Sequence, residues 1–264
     1  MKKFEKTNQW ALILGGSSGL GLATAKKLAK HGLNICVVHR SPRMHEELIN
    51  KEFDAIKQND VALKTFNIDL IKPEKRQMVI DELIAMFGID CKLKVLVHSI
   101  AKGNLKPMVS EDGKTLQHDD FEITLNAMAL SLYDWTKALF EAKLFANDSR
   151  IISFTSEGNT KAWQNYAAVS AAKVTLEAIT RSIALEFALF GIKANCIQAG
   201  ITDTASLRLI PGSETIIKHS LKRNPNGRLT TPEDVANVVY LLTKDEASWI
   251  TGTVIPVDGG EHLR

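Results

Sequence analysis

The feature that most constrains this chain is an exchange between short apolar runs and amphipathic stretches, repeated from end to end. "WALILGG" (10–16) is an apolar run that stops at glycines, and it reads as a buried parallel strand. Residues 20–31 follow with Leu22, Ala25, Leu28 and Ala29 at helical spacing. "LNICVV" (33–38) is a second strand, and Ser41-Pro42 opens a helix through about residue 58 with proline at its first position. "ALKTFNI" (62–68), a helix from Pro73 to about Phe87, and "LKVLVHS" (93–99) continue the exchange. A polar stretch at 110–120, turning at Asp112-Gly113, reads as a solvated loop. Then come a long helix from about 119 to 145, "SRIISFT" (149–155), a helix over 165–187 and "IKANCIQAG" (192–200). A late helix opens at the capping-box pattern Thr231-Pro232-Glu233-Asp234, and "GTVIPVDGG" (252–260) ends as strand and turn.

Strands that alternate with helices pair in parallel and are covered on both sides. The expected class is therefore α/β: a single Rossmann-type domain over residues 1–264, a doubly wound parallel sheet with helices on both faces. No repeat, low-complexity segment or linker interrupts it. Such sheets bind ligands at the carboxyl ends of their strands near the switch point. The site is expected after residues 15, 38, 68, 98, 155 and 199.

Composition removes several alternatives. The formal charge of +3 is spread without a dense Lys/Arg run, which gives no case for nucleic acid. Cys36, Cys91 and Cys196 show neither CxxC spacing nor a paired histidine pattern, so no metal site or disulfide framework is expected. That usage suits a reducing, cytoplasmic setting. The start MKKFEKTNQW lacks the apolar core of a secretory signal, and no run reaches the roughly 18–20 residues of a membrane span.

After the first strand comes Gly15-Gly16-Ser17-Ser18-Gly19-Leu20-Gly21. Glycines let backbone approach a pyrophosphate, and the next helix offers its free amides and positive dipole end. Between an apolar strand and a helix, this pattern indicates dinucleotide binding. The second strand ends in His39-Arg40-Ser41-Pro42-Arg43, with no acid before Glu46 to grip a ribose 2′-hydroxyl. Arg40 can pair with a 2′-phosphate instead, which favours NADPH over NADH. Ser41 and Arg43 stand beside it, Arg43 equally well as a solvated cation. Asp69 suits an adenine amino group, with Leu70 beside the ring, or simply a helix start. Ser99 and Ile100 end the fourth strand beside the expected cofactor, and His98 before them reads better as a satisfied buried histidine.

Tyr166 and Lys173 are seven residues apart, which places them on one helix face about 10 Å apart along the axis. Ser156 follows the fifth strand, at the mouth of the expected site. Asn126 lies in the preceding helix, either as a further catalytic residue or as a polar residue that bends it. Lys173 can grip ribose hydroxyls and stabilise an anionic intermediate beside the Tyr166 phenol.

The whole chain resembles the short-chain dehydrogenase/reductase superfamily. The resemblance is carried by Gly15–Gly21, Asp69, Asn126, Ser156, Lys173, the "AG" at 199–200 and "VDGG" at 257–260. Two departures, "HSIA" after the fourth strand and Tyr166-x6-Lys173 in place of the usual three-residue spacing, resemble the enoyl-acyl-carrier-protein reductase branch. Ser156 stands where many enoyl reductases carry a second tyrosine. The resemblance implies catalysis by Tyr166, Lys173, Ser156 and Asn126, and a nicotinamide neighbourhood at Gly200, Thr202 and Thr204. It also implies an acyl-carrier-protein or coenzyme A thioester substrate. A homo-oligomer, dimer or tetramer, is implied too, in keeping with the apolar girth of the helix at 163–189. Residues 205–224 read as a substrate flap whose Leu207, Leu209, Ile210, Ile216 and Ile217 line an acyl tunnel or simply pack a helix. Lys218, Lys222 and Arg223 read as a solvated face, or as contacts for an acidic carrier. The expected activity is NADPH-dependent reduction of a trans-2-enoyl thioester in fatty-acid synthesis. Its rivals are a short-chain reductase of a ketoacyl or other carbonyl substrate and, from a different class, an NADPH-binding regulator without turnover.

Overall fold

A computed structural model of the chain describes residues 3–5 and 7–264. In chain order these residues form β1 (Gln9–Leu14), α1 (Gly19–Lys30), β2 (Asn34–His39), α2 (Glu46–Lys57), β3 (Leu63–Asn67), α3 (Pro73–Phe87) and β4 (Lys92–His98). There follow α4 (His118–Leu125), α5 (Ser131–Glu141), β5 (Phe145–Ser156), α6 (Ala167–Glu186) and β6 (Ile192–Ala199). The chain ends through α7 (Ala205–Arg208), α8 (Ser213–Arg223), α9 (Pro232–Leu242) and β7 (Val254–Val257).

The strands form one parallel sheet in the order β3-β2-β1-β4-β5-β6-β7. The chain winds outward from β1 to β3, then crosses back to β4. The switch point therefore lies between β1 and β4, where a crevice opens at the carboxyl edge. The pleat of β1 explains the two covered faces. Trp10, Leu12 and Leu14 point into a core shared with α3, α5 and α6, through Leu83, Trp135 and Leu176 among others. Ala11 and Ile13 point into a second core with α1, α2 and α9, through Leu28, Phe53 and Val239. Burying a side chain such as Leu83 completely stabilises the fold by about 1.5–3 kcal/mol.

Two expected elements differ in detail. The helix after Pro42 begins with a single 3₁₀ turn at Arg43–His45 and becomes α-helical only at Glu46. The long helix expected over 119–145 is interrupted by a π-helical turn at Asn126–Leu130. The extra residue there shifts the helical phase. Ser131 Oγ then donates to the Ala127 carbonyl and meets His98 Nε2, both at 2.8 Å. β5 starts at Phe145, earlier than the apolar run at 149 suggested, because Phe145 still pairs with Leu93.

The capping box at α9 is present as expected: Thr231 Oγ1 accepts from the Asp234 amide, and Asp234 accepts from the Thr231 amide. The loop expected to be solvated at 110–120 is tied down at its end. Asp120 caps α4 and also binds Asn104 at 2.7 Å and Lys106 at 2.9 Å. Among the described residues, no helix is long and apolar enough to cross a membrane.

Candidate active site

The carboxyl edge of the sheet opens into a cleft of about 630 Å³, with Gly15, His39, Asp69, Ser99, Ser156 and Gly200 on its wall. These are the positions where strand ends were expected to place it.

At the β1–α1 turn, Gly15 has φ +87°, and a Cβ there would lie 2.1 Å from the Ser99 carbonyl oxygen. No side chain fits. Gly19, at φ +52°, faces Thr204. Ser18 is extended and its side chain caps no amide of α1, whose first turn also lacks an acid. The leading amides of α1 are left for a ligand, as a pyrophosphate requires. Ser17, Ser18, Gly19 and Leu20 all stand on the cleft wall. Gly21 does not. It is buried, and a Cβ would lie 2.2 Å from the Gly15 carbonyl oxygen, so this glycine allows turn and helix to pack together.

At the next strand ends, the exposed Arg40 donates from Nη1 to Asp69 Oδ2 at 2.8 Å. Leu70 lies buried beside them, its carbonyl held by Trp135 Nε1 at 3.0 Å. Ser41 does not itself line the cleft but is bonded to two residues that do. Its hydroxyl bonds Ser17 Oγ at 3.1 Å and His39 Nδ1 at 2.9 Å, and its amide donates to Asn67 Oδ1. It links the glycine turn, through Ser17, to the end of β2. Ser99, Ile100, Gly200, Thr202 and Thr204 line the cleft. Thr202 Oγ1 donates to the Gly200 carbonyl, and Thr204 caps α7 by accepting from the Leu207 amide.

At the centre stand Tyr166, Ser156 and Lys173. Tyr166 is the N-cap of α6, not an interior residue, and follows Asn165 in a left-handed conformation at φ 62°. Its hydroxyl lies 3.5 Å from Ser156 Oγ. Burial pushes the phenol up, partly opposed by Ser156, so it remains a proton donor at neutral pH. Lys173 Nζ donates to the Phe154 carbonyl at 2.6 Å. Burial lowers its ammonium to about 8, with Cys196 and Glu177 acting in the opposite sense.

Asn126 is not brought to the site. It is exposed, opens the π-helical turn and lies off the cleft wall, because the phase of α4 turns Ala127, Met128 and Ala129 inward instead. The alternative role, a polar residue where the helix changes path, describes its position. His98 is the satisfied core histidine that was expected, bonded to Ser131 and held neutral by burial, which lowers it to about 3.

The flap is also only partly as expected. Leu207, Leu209 and Ile210 line the cleft, while Ile216 and Ile217 do not. Lys218 and Lys222 are exposed, but Arg223 is turned inward to the wall. There it pairs with Glu157 and, at 2.9 Å, with Glu261 Oε1, which also accepts from Ser220 at 2.6 Å.

Three features escaped the sequence reading. Gly158 lies against the tyrosine ring, where a Cβ would sit 2.5 Å from Tyr166 Cε1. Gly103 brings the loop after β4 onto α6, where a Cβ would meet Val169 Cγ2 at 2.6 Å. Glu177 is a buried acid one turn beyond Lys173. A lone acid within the apolar run VTLEAI was the one signal available for it.

The comparisons agree with this geometry. The family model described as enoyl-(acyl carrier protein) reductase matches residues 15–262. Dehydrogenase/reductase SDR family member 6 of Danio rerio is 29% identical over 96% of this chain and 96% of its own length. The 3-oxoacyl-(acyl-carrier-protein) reductase of Chlamydia muridarum is 26% identical over 96% of this chain and 97% of its own. The solved enoyl-(acyl-carrier-protein) reductase (NADH) of Aquifex aeolicus superposes with a TM-score of 0.85 at 25% identity, covering 99% of this chain and 98% of that one. With the parallel sheet, the glycine cradle and the Tyr166–Ser156–Lys173 grouping already in place, this chain belongs to the short-chain dehydrogenase/reductase superfamily of NAD(P)H-dependent oxidoreductases, within the family described as enoyl-(acyl carrier protein) reductase.

Proposed function

We propose that the protein reduces the double bond of a trans-2-enoyl thioester, carried on acyl carrier protein or coenzyme A, using NADPH. The observation that carries this reading is the placement of Tyr166. Its phenol stands at the start of α6, with six residues before Lys173, beside an apolar wall. A carbonyl reductase protonates the oxygen next to the carbon that receives hydride. In an enoyl thioester the receiving β-carbon is two atoms from the carbonyl carbon, so charge develops on an oxygen further away. A displaced phenol suits that oxygen.

The bound dinucleotide supplies hydride. Every other requirement falls to the chain. The uncapped start of α1 and the glycine turn would hold the pyrophosphate, and Arg40 would face a 2′-phosphate. Lys173 would hold ribose hydroxyls and lend positive charge. Tyr166 donates a hydrogen bond to the thioester oxygen as it becomes an enolate, and the α-carbon is then protonated by Tyr166 or water. Leu105, Met128, Trp163, Val169 and Ile210 make an apolar wall for the acyl chain. Exposed side chains on helices flanking the cleft, Ile123, Leu130, Tyr133 and Val174, suit association into a homo-oligomer. The three free thiols suit a reducing, cytoplasmic setting.

A second reading, reduction of a 3-ketoacyl thioester, is favoured by Ser156. A serine hydrogen-bonded to the catalytic phenol is what a carbonyl oxygen needs, and one relative carries a 3-oxoacyl reductase name. Oxidation of NADPH followed by absorbance, with matched trans-2-enoyl and 3-ketoacyl thioesters, separates the two. Turnover of the enoyl substrate alone is the expected result. Turnover of the ketoacyl substrate alone overturns the proposal.

A further inference from the structure

Glu177 is nine-tenths buried on the sheet-facing side of α6, four residues and one turn after Lys173. Its Oε1 accepts two short hydrogen bonds, from Thr155 Oγ1 and from Asn159 Nδ2, each at 2.5 Å. Thr155 and Asn159 bracket the segment that carries Ser156, Glu157 and Gly158. Ser156 meets the Tyr166 hydroxyl, and Gly158 supports its ring. One carboxylate on α6 thus holds both ends of the segment that positions the phenol.

The hydrogen bonds do not explain the charge. A glutamine oxygen would accept from both donors without the several kcal/mol it costs to bury an ion. What the charge adds is a negative neighbour one helical turn from Lys173, which is itself buried and, among the described residues, hydrogen-bonded to a neutral backbone carbonyl. The titratable groups beside Lys173 on neighbouring elements are Cys196, His98 and Tyr166, and the charged Glu157–Arg223 pair lines the same cleft. Burial pushes the Cys196 thiol up on β6, lowers His98 to about 3 on β4, and pushes the Tyr166 phenol up at the start of α6. Lys173 is lowered by burial to about 8, and Cys196 and then Glu177 oppose that fall.

We propose that Glu177 is a positioning residue that supplies a negative charge one turn from Lys173 and fixes the Ser156–Gly158 segment against Tyr166. The proposal rests on Lys173 and Tyr166 acting as described above. It adds a fourth side chain to the working site, one that touches neither substrate nor cofactor.

Glu177→Gln keeps both acceptor contacts and nearly the same volume while removing the charge. Removing a negative neighbour lowers the Lys173 midpoint, and a lysine is charged only below its midpoint. The first measurement is the titration of Lys173 in the whole protein, followed by NMR of its ε-methylene and assigned by its loss in Lys173→Arg. The midpoint should fall by about one pH unit in Glu177→Gln. The second is the pH profile of kcat, whose alkaline limb should move down by the same amount. A third variant, Glu177→Ala, should lower kcat at every pH as well, because the segment loses both anchors. An unmoved Lys173 midpoint in folded Glu177→Gln overturns the proposal, as does an equal loss of kcat at all pH values. The titration needs no substrate. A chain inert toward both thioesters yet showing the shifted midpoint overturns the functional reading and supports this one.

Discussion

The Tyr166 hydroxyl has a loose contact with Ser156, at 3.5 Å, which leaves it free to tighten onto a developing oxyanion. Replacing Tyr166 by Phe keeps the ring against Trp163 and Gly158 and removes only that donor. Turnover should fall at least about 100-fold with NADPH affinity nearly intact, measured by steady-state kinetics beside a cofactor titration. Gly158→Ala tests position instead of chemistry. Its Cβ would displace the ring it now touches, so kcat should fall between about 10- and 100-fold while cofactor affinity holds. Arg40→Ala addresses the adenine end, where it should weaken NADPH more than NADH; equal losses for the two would remove Arg40 from phosphate recognition. At this scale the sequence was readable wherever a residue type has one strong chemical use. Tyr166, Lys173 and the glycines between 15 and 19 belong to that class. Asn126 was left between two roles because the phase of α4, which decides whether it faces the cleft or solvent, is not announced by a local pattern. Gly158 and Glu177 were missed because their roles come from long-range packing.

Among elements, α7 and α8 close one side of the cleft, and α8 is held by Arg223 between Glu157 and Glu261. Those two acids come from the segment after β5 and from the C-terminal turn, so one guanidinium joins α8 to two other parts of the cleft wall. Hydrogen bonds to charged groups contribute about 1.5–3 kcal/mol each, and removing Arg223 leaves both acids buried without it. Arg223→Ala should therefore loosen α8 before it disturbs the sheet. The expected signs are faster hydrogen exchange over 213–224 and a KM for the proposed thioester substrate raised about tenfold, the equivalent of about 1.4 kcal/mol. A variant with unchanged exchange in α8 would show that apolar packing alone holds this helix. The mixed apolar and basic character of residues 205–224 was legible in the sequence. The inward turn of Arg223 was not, because a basic residue beside Lys222 on a polar helix reads as solvated until its partners from far along the chain are known.

On the scale of the whole molecule, the parallel sheet separates function from support. Its carboxyl edge holds the cleft, while its amino edge holds a cluster centred on Asp148, which binds Lys94 at 2.7 Å and Arg150 and Lys193 at 2.6 Å each. Lys94 and Arg150 are almost fully buried, and they lie on β4 and β5, with Lys193 on β6. The strict alternation of elements made the sheet legible from its apolar runs. This cluster was not legible, since its charges are scattered over a hundred residues and meet only when adjacent strands pair. The three cations hold the Asp148 carboxyl well below the usual carboxylate range, against the effect of burial. A carboxyl depressed in the folded state stabilises it above the unfolded value of about 3.9, and loses that contribution as pH falls through the folded value. Asp148→Asn leaves three neighbouring cations without their anion. It should lower Tm at pH 7 by on the order of 3 °C, with turnover per folded molecule unchanged because the cleft lies at the other edge. The gap between the two proteins should narrow once the pH is brought below about 4, where the unfolded wild-type carboxyl begins to take up its proton. Thermal unfolding of both proteins across that range decides it. A gap that stays constant down to pH 2 would mean that the aspartate acts through packing rather than charge.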